Sequence, residues 1–301
     1  MARPAQLALI ALVYALGVAM ASASGAASDW ESVTFGLVAL LPIAASVHYA
    51  NEYADVETDA LTDRTPFSGG SGALVDTGLS PQIAVGAAVV SGAVGLLLTA
   101  VGTAPISSRP LATVPAVLLV LVLVVGWQYS IGPFRLAWNG FGEVTNAALG
   151  GLILPLYGFA VVSAEVTVGA ALATVPFALV VFVNLLETTW PDRRADAAVG
   201  KRTLATRWSP ARLRIAYGLA SAAAVVATVA LTGRVLPTVV TVATLLPMVG
   251  LLFGLFRFTR REEPLPAVVT MVVLAFTTTV GWALTADTTI TLADLGRWLS
   301  V

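Results

Sequence analysis

Nine apolar runs of bilayer-spanning length constrain this chain more than any motif it carries. They fall near 5–24, 33–50, 81–103, 110–129, 143–163, 167–187, 212–232, 236–256 and 265–285. A helix needs roughly 18 to 24 residues to cross a hydrocarbon core about 30 Å thick, and each run has that length. A segment inside a bilayer has no water to satisfy its backbone N–H and C=O groups and must pair them internally, so repeated runs of this kind specify helices. The glycines and prolines scattered within several runs fit the same setting. The expected fold is all-α, a polytopic membrane protein with nine transmembrane helices forming a single domain over residues 1–301.

Composition narrows the chemistry. The chain is 57% hydrophobic and 11% charged, with a mean hydropathy of +0.88. Its net charge of -1 offers no basic surface to nucleic acid. With no cysteine and a single histidine, disulfides, thiolate chemistry and histidine-rich metal sites are excluded, leaving oxygen ligands for any metal. The first run, Leu7 to Met20 followed by Ala21-Ser22-Ala23-Ser24-Gly25, also has the form of a signal peptide with a small-residue cleavage site. The second helix crosses in the same direction on either reading.

With the amino terminus in the cytoplasm, every basic residue except Arg109, Arg234 and Arg297 falls on the cytoplasmic side, as the positive-inside rule requires. The longer polar loops, 51–80, 130–142 and 188–211, lie on that side too. Chemistry is therefore expected at the cytoplasmic face of the cell membrane.

The first of these loops places Asn51, Asp55 and Asp59 at i, i+4 and i+8. On a continuing helix they share one face within about 80° of arc. Carboxylates so close repel one another unless a cation lies between them. All-oxygen ligation suits magnesium, whose octahedron substrate phosphates usually complete. A solvated, acid-rich helix end is the plainer alternative for this segment taken alone. The third loop repeats the spacing with Asp192 and Asp196, then adds Gly200-Lys201-Arg202. Pro191 is expected to start a new helix carrying both aspartates in its first turns. Carboxylates followed by a basic pair supply what a diphosphate needs: metal on some oxygens, Lys and Arg donors on others. Two boxes at the ends of even-numbered helices imply a divided metal site, closed by packing the second helix near the sixth. The middle loop has a Gly132-Pro133 turn and a Gly140-x-Gly142 pair, with Tyr129, Arg135 and Glu143 near the boundary. Its aromatics also fit an interfacial belt.

Taken together and in order, three motifs resemble the UbiA-type intramembrane prenyltransferases. They are Asn51-x-x-x-Asp55-x-x-x-Asp59, the Tyr129-Ser130-x-Gly132-Pro133-x-Arg135-Leu136 to Gly140-x-Gly142-Glu143 loop, and Asp192-x-x-x-Asp196-x-x-x-Gly200-Lys201-Arg202-Thr203-Leu204. The resemblance implies a bundle around a lipid-open central cavity. It also implies transfer of an isoprenoid chain from a polyprenyl diphosphate to an acceptor, with Mg²⁺ held by both aspartate boxes. Relatives near this branch often carry asparagine and arginine just before the second box. Here Thr188, Thr189, Trp190 and Pro191 stand there, with Glu187 and Thr188 as alternatives for the asparagine. Ionising an allylic diphosphate builds charge on the leaving oxygen, which metal ions and basic donors stabilise. The expected metal ligands are Asn51, Asp55, Asp59, Asp192 and Asp196. Arg64, Arg135, Lys201 and Arg202 are expected to bind diphosphate, and Tyr129 to orient a substrate.

The segment from Arg64 through Gly69, Gly70, Ser71 and Gly72 to Leu74 looks more like the 1,4-dihydroxy-2-naphthoate polyprenyltransferase branch of menaquinone biosynthesis than the archaeal ether-lipid branch. The resemblance implies an aromatic acceptor, with a glycerol-ether lipid as the alternative. Read alone, the glycines make a flexible turn. From another class, an ion-coupled transporter would also carry intramembrane carboxylates, but near the midplane of interrupted helices rather than at helix ends. Three smaller expectations complete the reading. His48 is packed or hydrogen-bonded rather than a ligand, Gly250-x-x-x-Gly254 marks close helix packing, and residues 291–301 form an interfacial helix on the outer face.

Overall fold

The structure, a computed structural model, describes residues 3–62, 69–104 and 111–287. The tail at 291–301 and Arg64 lie outside them. Regular structure among the described residues is helical apart from one isolated bridge between Thr232 and Leu236. Nine described helices are long and apolar enough to cross a membrane: α1 Pro4–Ala23, α2 Trp30–Ala54, α3 Gln82–Thr103, α4 Thr113–Ser130, α5 Gly142–Ser163, α6 Val168–Thr189, α7 Pro210–Leu231, α8 Thr238–Arg257 and α9 Leu265–Ala286. They follow the apolar runs, with shifts where capping chemistry sets the end. The α2 helix starts ahead of its run because the Asp29 side chain accepts from the backbone N–H groups of Glu31 and Ser32 at 3.1 and 3.0 Å.

Large apolar side chains such as Leu97, Val226, Leu246 and Phe256 stay exposed, as the lipid-facing surface of a bundle requires. Inside, small residues let backbones approach. A Cβ on Gly17 of α1 would collide with the Pro155 carbonyl of α5, and one on Gly158 of α5 with the Tyr14 carbonyl of α1. The Tyr14 and Tyr157 hydroxyls then donate to the Val33 and Gly36 carbonyls, both at 2.7 Å, tying α1 and α5 to α2. The expected packing at Gly250 and Gly254 is present. A Cβ on Gly250 would run into Thr270 of α9, and one on Gly254 into Tyr217 of α7 and Glu187 of α6. The α5 helix widens to a π turn at Leu149–Ile153, just ahead of Pro155, which has no N–H to continue the ladder.

The expected pairing of the second and sixth helices takes a different form. The α2 helix packs mainly on α3 and α4, and α6 mainly on α5, α7 and α9, with α5 touching both. What meets instead are two short helices beyond their ends, Val56–Leu61 after α2 and Arg193–Ala198 after α6. The second of these starts later than Pro191 would set it, with Asp192 at its N-cap. Trp190 is buried and packs edge-on against Phe258 with ring centroids 6.2 Å apart, which anchors the chain before it turns.

Candidate active site

The helix axis breaks at Asp55, whose backbone leaves the α region for φ -101°, ψ 6°. The i+4 relation survives the break: Asp55 N–H donates to Asn51 C=O at 3.0 Å and Asp59 N–H to Asp55 C=O at 2.8 Å. Asn51 Nδ2 donates to Asp55 Oδ2 at 2.8 Å and approaches Ser130 Oγ at 3.4 Å. From the second box, Lys201 reaches across to the first. Its Nζ donates to Asp55 Oδ1 at 2.8 Å and stands 3.5 Å from Asp196 Oδ1. Two clusters remote in sequence therefore meet around one ammonium.

Their electrostatics are those of crowded, desolvated acids. Burial, reinforced by the charge of Asp55, pushes the Asp59 carboxyl up to about 7. Burial raises Asp192 to about 6 against the opposing N–H of Gly69, and raises Asp196 to about 7 against the opposing charge of Lys201. Burial disfavours the Lys201 ammonium, yet Asp55 and Asp196 outweigh it and hold its pKa above the usual lysine range. Asp192 Oδ1, Asp196 Oδ1 and Glu143 Oε2 are buried without a hydrogen-bond partner. Orphaned carboxylate oxygens are hard donors of the kind magnesium takes, so the residues present fit such an ion. Among the described residues no three acidic or histidine side chains converge on one point, and Lys201 pairs with a carboxylate of each box.

A cavity of about 50 Å³ lies behind that lysine, walled by Tyr129, Glu143, Leu185, Thr189, Asp192, Asp196 and Thr203 among others. Tyr129 belongs to this wall, its hydroxyl hydrogen-bonded to Asn146, rather than to a lipid-facing belt. On the other side of Lys201 an open cleft of about 430 Å³ is lined by Arg202, Thr206 and Arg207. Lys201 thus lines both the cavity and the cleft, and Arg202 the cleft. Arg135 is exposed, at φ 40°, and stacks 4.0 Å above the Trp138 ring without reaching the carboxylates. Neither alternative for the missing asparagine faces the boxes. Thr188 Oγ1 donates to the Leu185 carbonyl of its own helix, and Glu187 turns toward Tyr217 and Gly254. His48 is half-buried, with its Nε2 buried without a hydrogen-bond partner.

Glu143 and Glu52 have no role in the sequence motifs, and the 69–72 turn has a different one from the flexible turn expected. Glu143 is 1% exposed, and its Oε1 accepts the Leu204 N–H at 2.8 Å, fixing the chain that follows the second box. Glu52, next to Asn51, is 2% exposed and accepts from Arg3 Nε at 2.8 Å and from Ser71 N–H at 3.1 Å. The 69–72 turn then lies across both boxes: the Gly69 N–H faces the Asp192 carboxyl and opposes the rise in its pKa, and Gly70 packs so tightly on Asp59 that a Cβ there would collide with the carboxylate. Gly69, Gly70 and Gly72 have φ of 80°, 68° and 71°, so the glycines serve a defined conformation and not flexibility alone.

An all-helical membrane bundle with two facing carboxylate boxes at one end defines the class. The chain belongs to the UbiA prenyltransferase family, whose model matches residues 11–272. Among curated proteins it is similar to a 1,4-dihydroxy-2-naphthoate octaprenyltransferase of Bacillus subtilis (strain 168), 27% identical over 169 residues. That match covers 56% of this chain and 52% of the relative, so the chain spans about half the length of the curated protein it matches. Among solved structures, an apo UbiA homolog from Aeropyrum pernix K1 superposes with a TM-score of 0.73 at 17% identity, covering 93% of this chain and 98% of that one. A UbiA homolog from Archaeoglobus fulgidus bound to GPP and Mg²⁺ gives 0.68 at 17% identity, covering 92% and 96%. At such identities the two structures speak to the fold.

Proposed function

We propose that the protein transfers an isoprenoid chain from a polyprenyl diphosphate to an aromatic acceptor at the cytoplasmic face of the membrane, with magnesium as cofactor and 1,4-dihydroxy-2-naphthoate as acceptor. The observation that carries this reading is the meeting of the boxes around Lys201, which sets acidic oxygens and an ammonium at one spot. Asn51, Asp55, Asp59, Asp192 and Asp196 would hold magnesium. Bound there, the ion supplies positive charge to the diphosphate oxygens as the allylic C–O bond breaks. Lys201 moves from Asp55 to a diphosphate oxygen, a charge-assisted contact that strengthens as the leaving group forms. Arg202 binds the diphosphate from the cleft side, and Arg64 and Arg135 contribute further positive charge to it. Tyr129, held by Asn146, orients a substrate at the cavity wall. Support for the naphthoate acceptor comes from the Bacillus subtilis relative and from the glycine-rich segment after the first box; a glycerol-ether lipid is the alternative acceptor.

The test is pyrophosphate release from geranyl diphosphate by purified protein in detergent, with 1,4-dihydroxy-2-naphthoate present. Release and prenylated product should depend on magnesium. Both should vanish in Asp55→Ala and Asp192→Ala variants that keep the wild-type helical circular dichroism. Full activity in those variants would end the proposal.

A further inference from the structure

We propose that Glu52 is a positioning residue that, through Ser71, holds the 69–72 turn closed across both carboxylate boxes, so that the allylic cation meets the acceptor rather than water. This inference rests on the prenyl-transfer reading above.

Glu52 follows Asn51 by one residue and so points about 100° away from the box face of α2. Its oxygens are committed elsewhere. Oε1 accepts from Arg3 Nε and from Ser71 N–H, and Oε2 accepts from Ser71 Oγ. Both Glu52 oxygens are buried and already accept hydrogen bonds, which separates it from Asp192 and Asp196 with their orphaned oxygens. Arg3 supplies the opposite charge a buried carboxylate requires. Ser71 Oγ in turn accepts the Ala73 N–H at 3.2 Å, so the hold on Ser71 extends into the short helix Ala73–Thr77.

The consequence lies two residues earlier. With Ser71 fixed, Gly70 is seated on Asp59 of the first box and the Gly69 N–H faces Asp192 of the second. The turn thus lies against both boxes, and Glu52 is the group that holds it there. When the allylic C–O bond breaks, its electron pair leaves with pyrophosphate. The cation is then captured in one of two ways. Attack by the acceptor's ring carbon forms a C–C bond and expels the carboxylate as carbon dioxide. Attack by water gives the prenyl alcohol, its proton passing to pyrophosphate. Exclusion of water favours the first outcome.

The experiment compares full-length wild type, Ser71→Ala, Ser71→Thr and Glu52→Gln with geranyl diphosphate, 1,4-dihydroxy-2-naphthoate and magnesium. It reads the ratio of geraniol to prenylated product, after subtracting the geraniol formed by Asp55→Ala. Ser71→Ala and Glu52→Gln should raise that ratio about tenfold and raise KM for geranyl diphosphate several-fold. Ser71→Thr, which keeps the hydroxyl, should return it to the wild-type value. A Ser71→Ala enzyme with the wild-type ratio, or a Ser71→Thr enzyme as leaky as Ser71→Ala, would overturn the role given to Glu52 and Ser71 while leaving prenyl transfer intact. Absence of both products from the wild-type protein would instead overturn prenyl transfer, and this inference with it.

Discussion

Replacing Lys201 by Met tests the electrostatics of the site. The ammonium lies 2.8 Å from one Asp55 oxygen and 3.5 Å from one of Asp196. At an effective dielectric constant near 20 those separations correspond to attractions of about 6 and about 5 kcal/mol. Desolvation of the three groups cancels a large part, and removing one partner of a buried ion pair costs about 3–5 kcal/mol in practice, because the remaining charges stay buried and uncompensated. At about 2–4 °C per kcal/mol for a chain of a few hundred residues, the variant should melt on the order of 10 °C below wild type in EDTA. Magnesium can neutralise the same carboxylates, so saturating magnesium should recover at least half of that loss. Adding Asp55→Asn to Lys201→Met removes one uncompensated charge and should also restore stability, a coupling that a double-mutant cycle reads directly. The assay is tryptophan-fluorescence melting of detergent-purified protein. A Lys201→Met protein that melts with wild type in EDTA, or that gains nothing from magnesium or from Asp55→Asn, would refute the reasoning.

Other consequences follow from the same geometry. A Cβ at Gly17 meets the immobile Pro155 backbone of α5, so Gly17→Ala should cost about 3 kcal/mol of stability. Gly254→Ala, whose neighbours are the movable side chains of Tyr217 and Glu187, should cost about 1 kcal/mol; melting temperatures in the reverse order would contradict the packing. The carboxyls of Asp59, Asp192 and Asp196 are raised to about 7, 6 and 7, so in EDTA the folded protein holds more protons than the unfolded chain above the ordinary aspartate value. Their contribution is full below about pH 4 and is lost as pH rises toward about 7. Melting temperature in EDTA should therefore fall across that window, and magnesium, which competes with protons for the same oxygens, should flatten the fall. A melting temperature that rises with pH in EDTA across the window would count against the burial described.

The helices were legible because the bilayer imposes a run length that survives inspection of sequence alone. The spacing inside each box was legible for a similar reason: i and i+4 are neighbours on any helix, and the relation from Asn51 through Asp55 to Asp59 outlasts the break at Asp55. What brings the boxes together is not local. The α5 helix touches both α2 and α6, and the contact is made by short helices whose starts depend on tertiary anchors such as Trp190 on Phe258. Lys201 and Arg202 read as one basic pair, yet after Gly200, at φ 79°, Lys201 reaches the cavity wall as well as the cleft while Arg202 stays exposed in the cleft. Glu52 was invisible for a different reason. A glutamate inside an acid-rich segment looks like one more solvated charge, and its partner Arg3 lies far away in sequence. Glu143 sits at the start of a helix, where acids are common for dipole reasons alone, so only the structure reveals its place in the cavity wall.

The central claim is that both boxes hold one divalent site together with the diphosphate, and Mn²⁺ binding followed by electron paramagnetic resonance in the presence of geranyl diphosphate tests it most directly. Asp55→Asn in the first box and Asp192→Asn in the second should each weaken Mn²⁺ binding by about tenfold or more. Wild-type affinity in either variant would mean that the boxes act separately, and would contradict the account.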